Sequence, residues 1–195
     1  IRSAVDAGAF ASEPDCNAFR KEFAIDEGTF TIAAAGQLIP RKGHRYLLQA
    51  VAGLVSKQSK PRLAVVGDGY LNNQRRAQAV SLGLEDVVQF AGFRDDLDSF
   101  IACFDLFAHP ALTEGLGVAA LKAAAAGVPV VGFDAGGLNE AVAHGKTGLL
   151  VPVEDVESLP EAIATWIDDH RMRAHMSIAR RERMPSEFSI ATMSD

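Results

Sequence analysis

Cysteine occurs only twice among these 195 residues, and aromatic side chains make up only 7% of them. Cys16 and Cys103 stand alone, with no metal-ligand spacing, which excludes a cysteine-based zinc site or a small disulfide-stapled scaffold; they are expected as buried or idle thiols. No apolar run approaches the roughly 20 residues a helix needs to cross a bilayer. The opening IRSAVDAGAF also lacks the basic-then-apolar order of a secretory signal. Positive charge is in deficit: 19 Lys and Arg against 25 Asp and Glu give a net charge of -6 and a pI near 5.4. That balance argues against a nucleic-acid or anionic-membrane surface and leaves room only for a local basic pocket. What is present, 48% hydrophobic and 23% charged residues, is the composition of an ordinary globular domain with one large core. A cytoplasmic location is the expectation from these features together.

Residues 1–27 have mixed polarity and little strand character, with a short helix expected around Asn17 to Phe23. From residue 30 a regular alternation begins. The apolar runs FTIAAAG (30–36), RLAVVG (62–67), VVQFAG (87–92), DLFAHP (105–110), VPVVGF (128–133) and GLLVP (148–152) have strand length, and most are bounded by Gly or Pro. Helix-length segments such as HRYLLQAVAGLV and ESLPEAIATWIDD separate them. Continuous apolar strands alternating with helices predict a parallel sheet covered on both faces. The expected fold is a doubly wound, Rossmann-like α/β domain of about six strands. In such a fold the ligand sits beyond the carboxyl ends of the strands. The unusual residues cluster there: GQLIPRKG (36–43), GDGYL (67–71), GFRDD (92–96), ALTEGLG (111–117) and DAGGLNE (134–140) each follow a strand.

The most informative stretch is HPALTEGLGVAALKAAAAGVPVV, residues 109–131. It reads as a strand end, a loop carrying Glu114, the glycines Gly115 and Gly117, and an alanine-rich helix closed by Gly127. A glycine loop opening a helix offers unpaired N–H groups and the positive end of the helix dipole, which suits an anion. Glu114 at its lip offers a carboxylate that accepts hydroxyl protons. Phosphate at one end and hydroxyls at the other describe a nucleotide-linked sugar.

The order GQLIPRKGHRYLLQA, VVGDGYL, VVQFAGF, HPALTEGLGVAALKAAAAGVPVV and GGLNEAVAHGKTGLLVPVED resembles the donor-binding half of family 4 glycosyltransferases, from about Thr31 to Asp169. The resemblance implies a retaining, hexosyl-transferring GT-B enzyme that uses a nucleotide-diphospho-sugar substrate, no metal and no further cofactor. It implies that 1–29 lead in from an acceptor domain outside this sequence, that 30–170 form the donor domain, and that 171–195 are a helical tail. That acceptor domain, in the same or another chain, would carry any membrane contact. Cell-envelope polysaccharide synthesis is the process it suggests, with a glycan or lipid-linked acceptor and no nucleic-acid partner.

Residue by residue, the resemblance makes Lys42 the cation that stabilises the leaving diphosphate. The family's arginine five residues earlier is Gln37 here, which donates hydrogen bonds but carries no charge. Arg41, next to Lys42, is expected at the surface. Glu114 becomes the first glutamate of the family's Glu, seven residues, Glu motif and contacts the donor sugar; the amides of Gly115, Leu116, Gly117 and Val118 face phosphate and sugar. The second glutamate, which holds the ribose hydroxyls, is Lys122 here, a group that only donates. Gly36 and Arg94 lie where the family contacts the nucleotide, and the Arg94 side chain is available to stack on a base. His109 reads as a satisfied core histidine. The Asp-Leu-Asp run at 96–98 reads as helix capping, and no metal is assigned.

Two alternatives stand beside this. GLGVAA (115–120) fits a dinucleotide fingerprint, with Asp134 near the spacing at which a carboxylate holds the ribose of NAD, so an NAD-dependent dehydrogenase domain built on Gly115, Gly117 and Asp134 is possible. A non-catalytic module on the same fold would account for Gln37 and Lys122.

Overall fold

The computed structural model describes residues 10, 14–56, 60–145 and 147–168. In it the six apolar runs become six strands: β1 (Thr31–Ala35), β2 (Arg62–Val66), β3 (Val88–Gly92), β4 (Leu106–His109), β5 (Val130–Phe133) and β6 (Gly148–Val151). All pair in parallel, in the order β3-β2-β1-β4-β5-β6. Between and around them run α1 (Cys16–Glu22), α2 (His44–Ser56), α3 (Asn72–Ser81), α4 (Leu97–Phe100), α5 (Val118–Ala125), α6 (Leu138–Ala141) and α7 (Ser158–Asp168). This is the expected doubly wound, Rossmann-like sheet.

Successive side chains of a strand point to opposite faces, and the core divides accordingly. Ile32 and Ala34, Leu63 and Val65, and Leu106 and Ala108 pack on one face with Leu47, Leu48 and Val51 of α2 and Leu159, Ile163 and Trp166 of α7. Ala33, Ala64 and Phe107 point the other way, into a second core with Phe19 of α1, Phe100, Ile101 and the alanines of α5. Each fully buried Leu or Phe of this kind contributes roughly 1.5–3 kcal/mol. Both faces being covered is why the strands carry so little polar alternation. No helix among the described residues is long and apolar enough to cross a membrane.

Asp15 caps α1, its carboxylate accepting from the amides of Asn17 (3.1 Å) and Ala18 (2.9 Å). Phe19 then stacks on Phe100 with ring centroids 5.6 Å apart and meets the edge of Phe104 at 4.7 Å. This docking corrects the expectation of idle thiols: Cys16, at the start of α1, and Cys103, in the 3-10 turn Ile101–Cys103, form a disulfide with Cα atoms 5.3 Å apart. Their 87-residue separation in sequence gave no sign of it, because the aromatic packing of α1 alone brings them together. The expected helical tail, 171–195, lies outside the described residues.

Candidate active site

Adjacent strands β1 and β4 mark the point where the strand order reverses, and the loops leaving their carboxyl ends face one another. After β1 the chain makes a 3-10 turn, Pro40–Lys42, closed by Gly43 at φ 65°. A Cβ on Gly43 would lie 1.8 Å from the Pro110 carbonyl oxygen, so only glycine lets the two loops approach this closely. Leu112 N–H donates to the Arg41 carbonyl at 2.7 Å, pinning one loop to the other, while the Arg41 side chain is exposed as expected. On the far side, Gly136 (φ 57°) packs against the Glu114 carbonyl, where a Cβ would come within 1.9 Å. Glycines thus fix where Lys42 and Glu114 stand.

With the loops so placed, the Lys42 ammonium donates to Glu114 Oε2, and His109 Nε2 lies 3.0 Å from the same oxygen. Glu114 Oε1 accepts the Gly115 N–H at 3.1 Å. The hydrogen bond from His109, followed by the hydrogen bond and charge of Lys42, holds the Glu114 carboxyl well below the usual carboxylate range despite its burial. Because a carboxylate only accepts, this bond requires the His109 tautomer protonated at Nε2. His109 is therefore both satisfied and buried, as expected, and also the residue that orients Glu114, a role not visible in the sequence. A histidine at a strand end five residues before the loop glutamate was the available signal.

A cavity of about 530 Å³ opens at this point. Its walls include Gly36, Gln37, Lys42, Arg94, Glu114, Val118 and Lys122, seven of the ten residues expected at the site. Gly115, Leu116 and Gly117 do not line it; they form the turn entering α5, with Gly117 at φ 71° as its N-cap. The Gly115 amide is taken by Glu114, whereas the amides of Leu116, Gly117 and Val118 have no hydrogen-bond acceptor among the described residues. Asp68 and Phe93, which the sequence reading passed over, also line the cavity, and Phe93 is 78% exposed at its rim.

Two cations are already engaged. The Arg94 guanidinium donates to both Asp96 oxygens at 2.7 Å, pairs with Glu22 of α1, and lies over the Phe100 ring at 5.0 Å. Lys122 Nζ donates to Asp98 Oδ2 at 2.7 Å. This corrects the capping assigned to residues 96–98. Asp96 occupies the N-cap position of α4 without a side-chain capping bond, because the two carboxylates serve Arg94 and Lys122 instead. Asp134 lines a different hollow, with Asn139 and His144, outside the cavity that holds Lys42 and Glu114.

A Rossmann-like sheet with a lysine–glutamate pair and free helix-entry amides at its switch point has the arrangement in which α/β domains hold anionic ligands. The sequence pattern of one such family, described as glycosyl transferases group 1, matches residues 15–183, and the chain belongs to that family. It is 34% identical over 206 residues to a GDP-mannose-dependent monoacylated alpha-(1-6)-phosphatidylinositol monomannoside mannosyltransferase of Corynebacterium glutamicum, covering 100% of this chain and 53% of that protein. It is 33% identical over 199 residues to the GDP-mannose-dependent alpha-(1-6)-phosphatidylinositol monomannoside mannosyltransferase of Mycobacterium tuberculosis, covering 97% of this chain and 51% of that one. Among solved structures, it is similar to Anabaena HepE in complex with UDP and glucose, with a TM-score of 0.88, 29% identity, and 98% and 53% of the two chains covered. The chain thus spans about half the length of the relatives it matches. These relatives are glycosyltransferases, and the dehydrogenase alternative gains nothing from the family or from the position of Asp134.

Proposed function

We propose that the chain is the donor-binding half of a retaining, metal-independent family 4 glycosyltransferase that forms an α-linkage. The observation that carries this reading is the convergence of Lys42 and Glu114 on one cavity at the switch point of the sheet. Lys42 has three ammonium donors; one serves Glu114, leaving two for the oxygens of a diphosphate. The free amides of Leu116, Gly117 and Val118 add fixed dipoles at the start of α5, which favour the charge that develops as the diphosphate departs. Glu114, held ionised, accepts hydroxyl protons of the donor sugar. His109 keeps its carboxylate in one orientation. Gly36 and Gln37 border the nucleotide, Arg94 contributes through its backbone since its guanidinium is occupied, and the Lys122–Asp98 pair stands where the resemblance puts the ribose.

A sugar acceptor, glycan or lipid-linked, would be held by an N-terminal acceptor domain outside this sequence, reached through residues 1–29, with 30–170 as the donor domain and 171–195 as the tail. Coverage of about half of each relative supports this division. The relatives' names, which refer to a phosphatidylinositol monomannoside, support a lipid-linked acceptor, and a role in cell-envelope synthesis belongs to the same reading. A cytoplasmic site of action belongs to the same reading; the Cys16–Cys103 disulfide pulls against it, since reducing compartments keep thiols reduced.

Calorimetric titration of the purified chain with UDP, GDP, UMP and NADH tests the reading. A nucleoside diphosphate should bind, its monophosphate more weakly, and NADH not measurably. Binding of NADH in preference to both diphosphates would overturn it.

A further inference from the structure

A second cavity, of about 280 Å³, lies on the α2 and α3 side of the β1–α2 loop and shares no wall residue with the first. Leu38, Ile39, Pro40, Leu71 and Leu112 give it an apolar rim. Its remaining walls are basic or polar and include Arg75 and His44.

Arg75 is 9% exposed, yet no carboxylate pairs with it among the described residues. Its terminal nitrogens donate only to neutral amides, Nη1 to Gln78 Oε1 and Nη2 to Gln74 Oε1 at 3.1 Å. Its Nε has no acceptor among the described residues. His44, 5% exposed, likewise has an Nδ1 without a partner among the described residues. Arg45, which pairs with Glu154 at 3.4 Å, borders the same cavity. A buried guanidinium without a counter-ion is costly, and buried polar atoms without partners are rare in native structures. Here they sit beside an open space with apolar walls, near the lower end of the about 300–1,000 Å³ typical of small-molecule sites.

We propose that this cavity is a second binding site, distinct from the donor cavity, for a small ligand carrying one carboxylate or phosphate on an apolar body. The anion pairs with Arg75, and the apolar body packs against Leu38, Ile39 and Leu112. The location gives such a ligand influence on the first site. Leu38 to Pro40 lead directly into Lys42, and Leu112, tied by its N–H to the Arg41 carbonyl, lies two residues before Glu114.

Phenyl phosphate, benzoate and neutral benzamide are suitable probes, followed by amide chemical shifts in the whole chain. Saturable shifts at His44, Leu71 and Leu112 are expected with at least one of the two anions and not with benzamide; which anion binds identifies the phosphate or carboxylate source. Arg75→Gln should weaken that binding at least tenfold, while Lys42→Ala leaves it unchanged. Ile39→Trp, which fills the cavity and keeps Arg75, should also abolish it, so the outcome does not hang on Arg75→Gln folding. Absence of shifts with both anions, equal binding of benzamide, or loss of binding in Lys42→Ala rather than Ile39→Trp would overturn the proposal.

Discussion

Lys122 Nζ donates a 2.7 Å hydrogen bond to Asp98 Oδ2, so the lysine that the resemblance sets in place of the family's second glutamate arrives with a carboxylate of its own. Both side chains are about one-third exposed, so the pair is screened but not idle. Restoring the family residue by Lys122→Glu would therefore set two carboxylates against each other instead of simply adding a ribose acceptor. Lys122→Glu alone should leave nucleoside diphosphate affinity unchanged or lower. The double variant Lys122→Glu with Asp98→Asn should bind roughly tenfold more tightly than Lys122→Glu, a difference calorimetry resolves. Equal affinity for the two would show that Asp98 does not oppose a carboxylate at position 122.

Lys42 and Glu114 share one hydrogen bond but serve different parts of the proposed donor, and their variants should separate. Lys42→Ala would remove the proposed charge-assisted contact to the outer phosphate, of about 1.5–3 kcal/mol. UDP or GDP binding should fall tenfold or more while the monophosphates change little. Glu114→Gln, in an active full-length relative-length enzyme containing this domain, should cut turnover far more than nucleoside diphosphate affinity, because its contact is to the sugar. Equal responses of diphosphate and monophosphate to Lys42→Ala would take Lys42 off the outer phosphate.

His44 makes the stability of the fold depend on pH in a defined direction. Burial first, then the neighbouring His109 and the positive charges of Lys42 and Arg75, push its pKa down to about 4. Between pH 6.5 and 4 the unfolded chain binds a proton that the folded chain refuses, so this contribution is complete above pH 6.5 and is lost as pH falls through that window. Its size is about 3 kcal/mol at most. Urea unfolding of His44→Phe should show a flatter dependence between pH 4 and 6.5 than the parent. Glu114, whose pKa is also depressed, loses its contribution only as pH falls below the ordinary carboxylate value, so Glu114→Gln should change the slope of the curve in that more acidic region.

Strand positions, the two-faced core and the switch point were legible because each follows from local pattern: apolar runs of strand length, glycine at their ends, and helices between them. Lys42 and Glu114 were legible as individual residues, being the unusual polar groups on strand-end loops. Their mutual bond was not, since 72 residues separate them and only the glycine contacts of the loops decide the distance. The same holds for Arg94. GFRDD announces a cation beside a carboxylate run, and Asp96 binds two of its nitrogens locally; what the sequence hides is the further contact to Glu22, which arises only because Phe19 docks α1 on the second core. Local sequence thus shows which side chains stand at the sheet edge; docking of distant segments decides which remain free to meet a ligand.

That docking is also what the Cys16–Cys103 bond secures. Closing a loop across 87 residues restricts the unfolded chain far more than the folded one, and a bond of this span contributes about 2–4 kcal/mol. The same bond holds α1, which carries Glu22, against the turn that follows α4, and so secures the Glu22 side of the Arg94 clamp, while Asp96 holds the guanidinium locally. Cys103→Ser, or reduction of the parent, should lower the urea midpoint by an amount corresponding to that range, and reductant should have no effect on Cys103→Ser. Mass measurement before and after alkylation gives the thiol count in the same samples. Two alkylatable thiols in the unreduced parent, with a midpoint indifferent to reductant, would show that the cysteines stay reduced in solution and that α1 is held by its aromatic contacts alone.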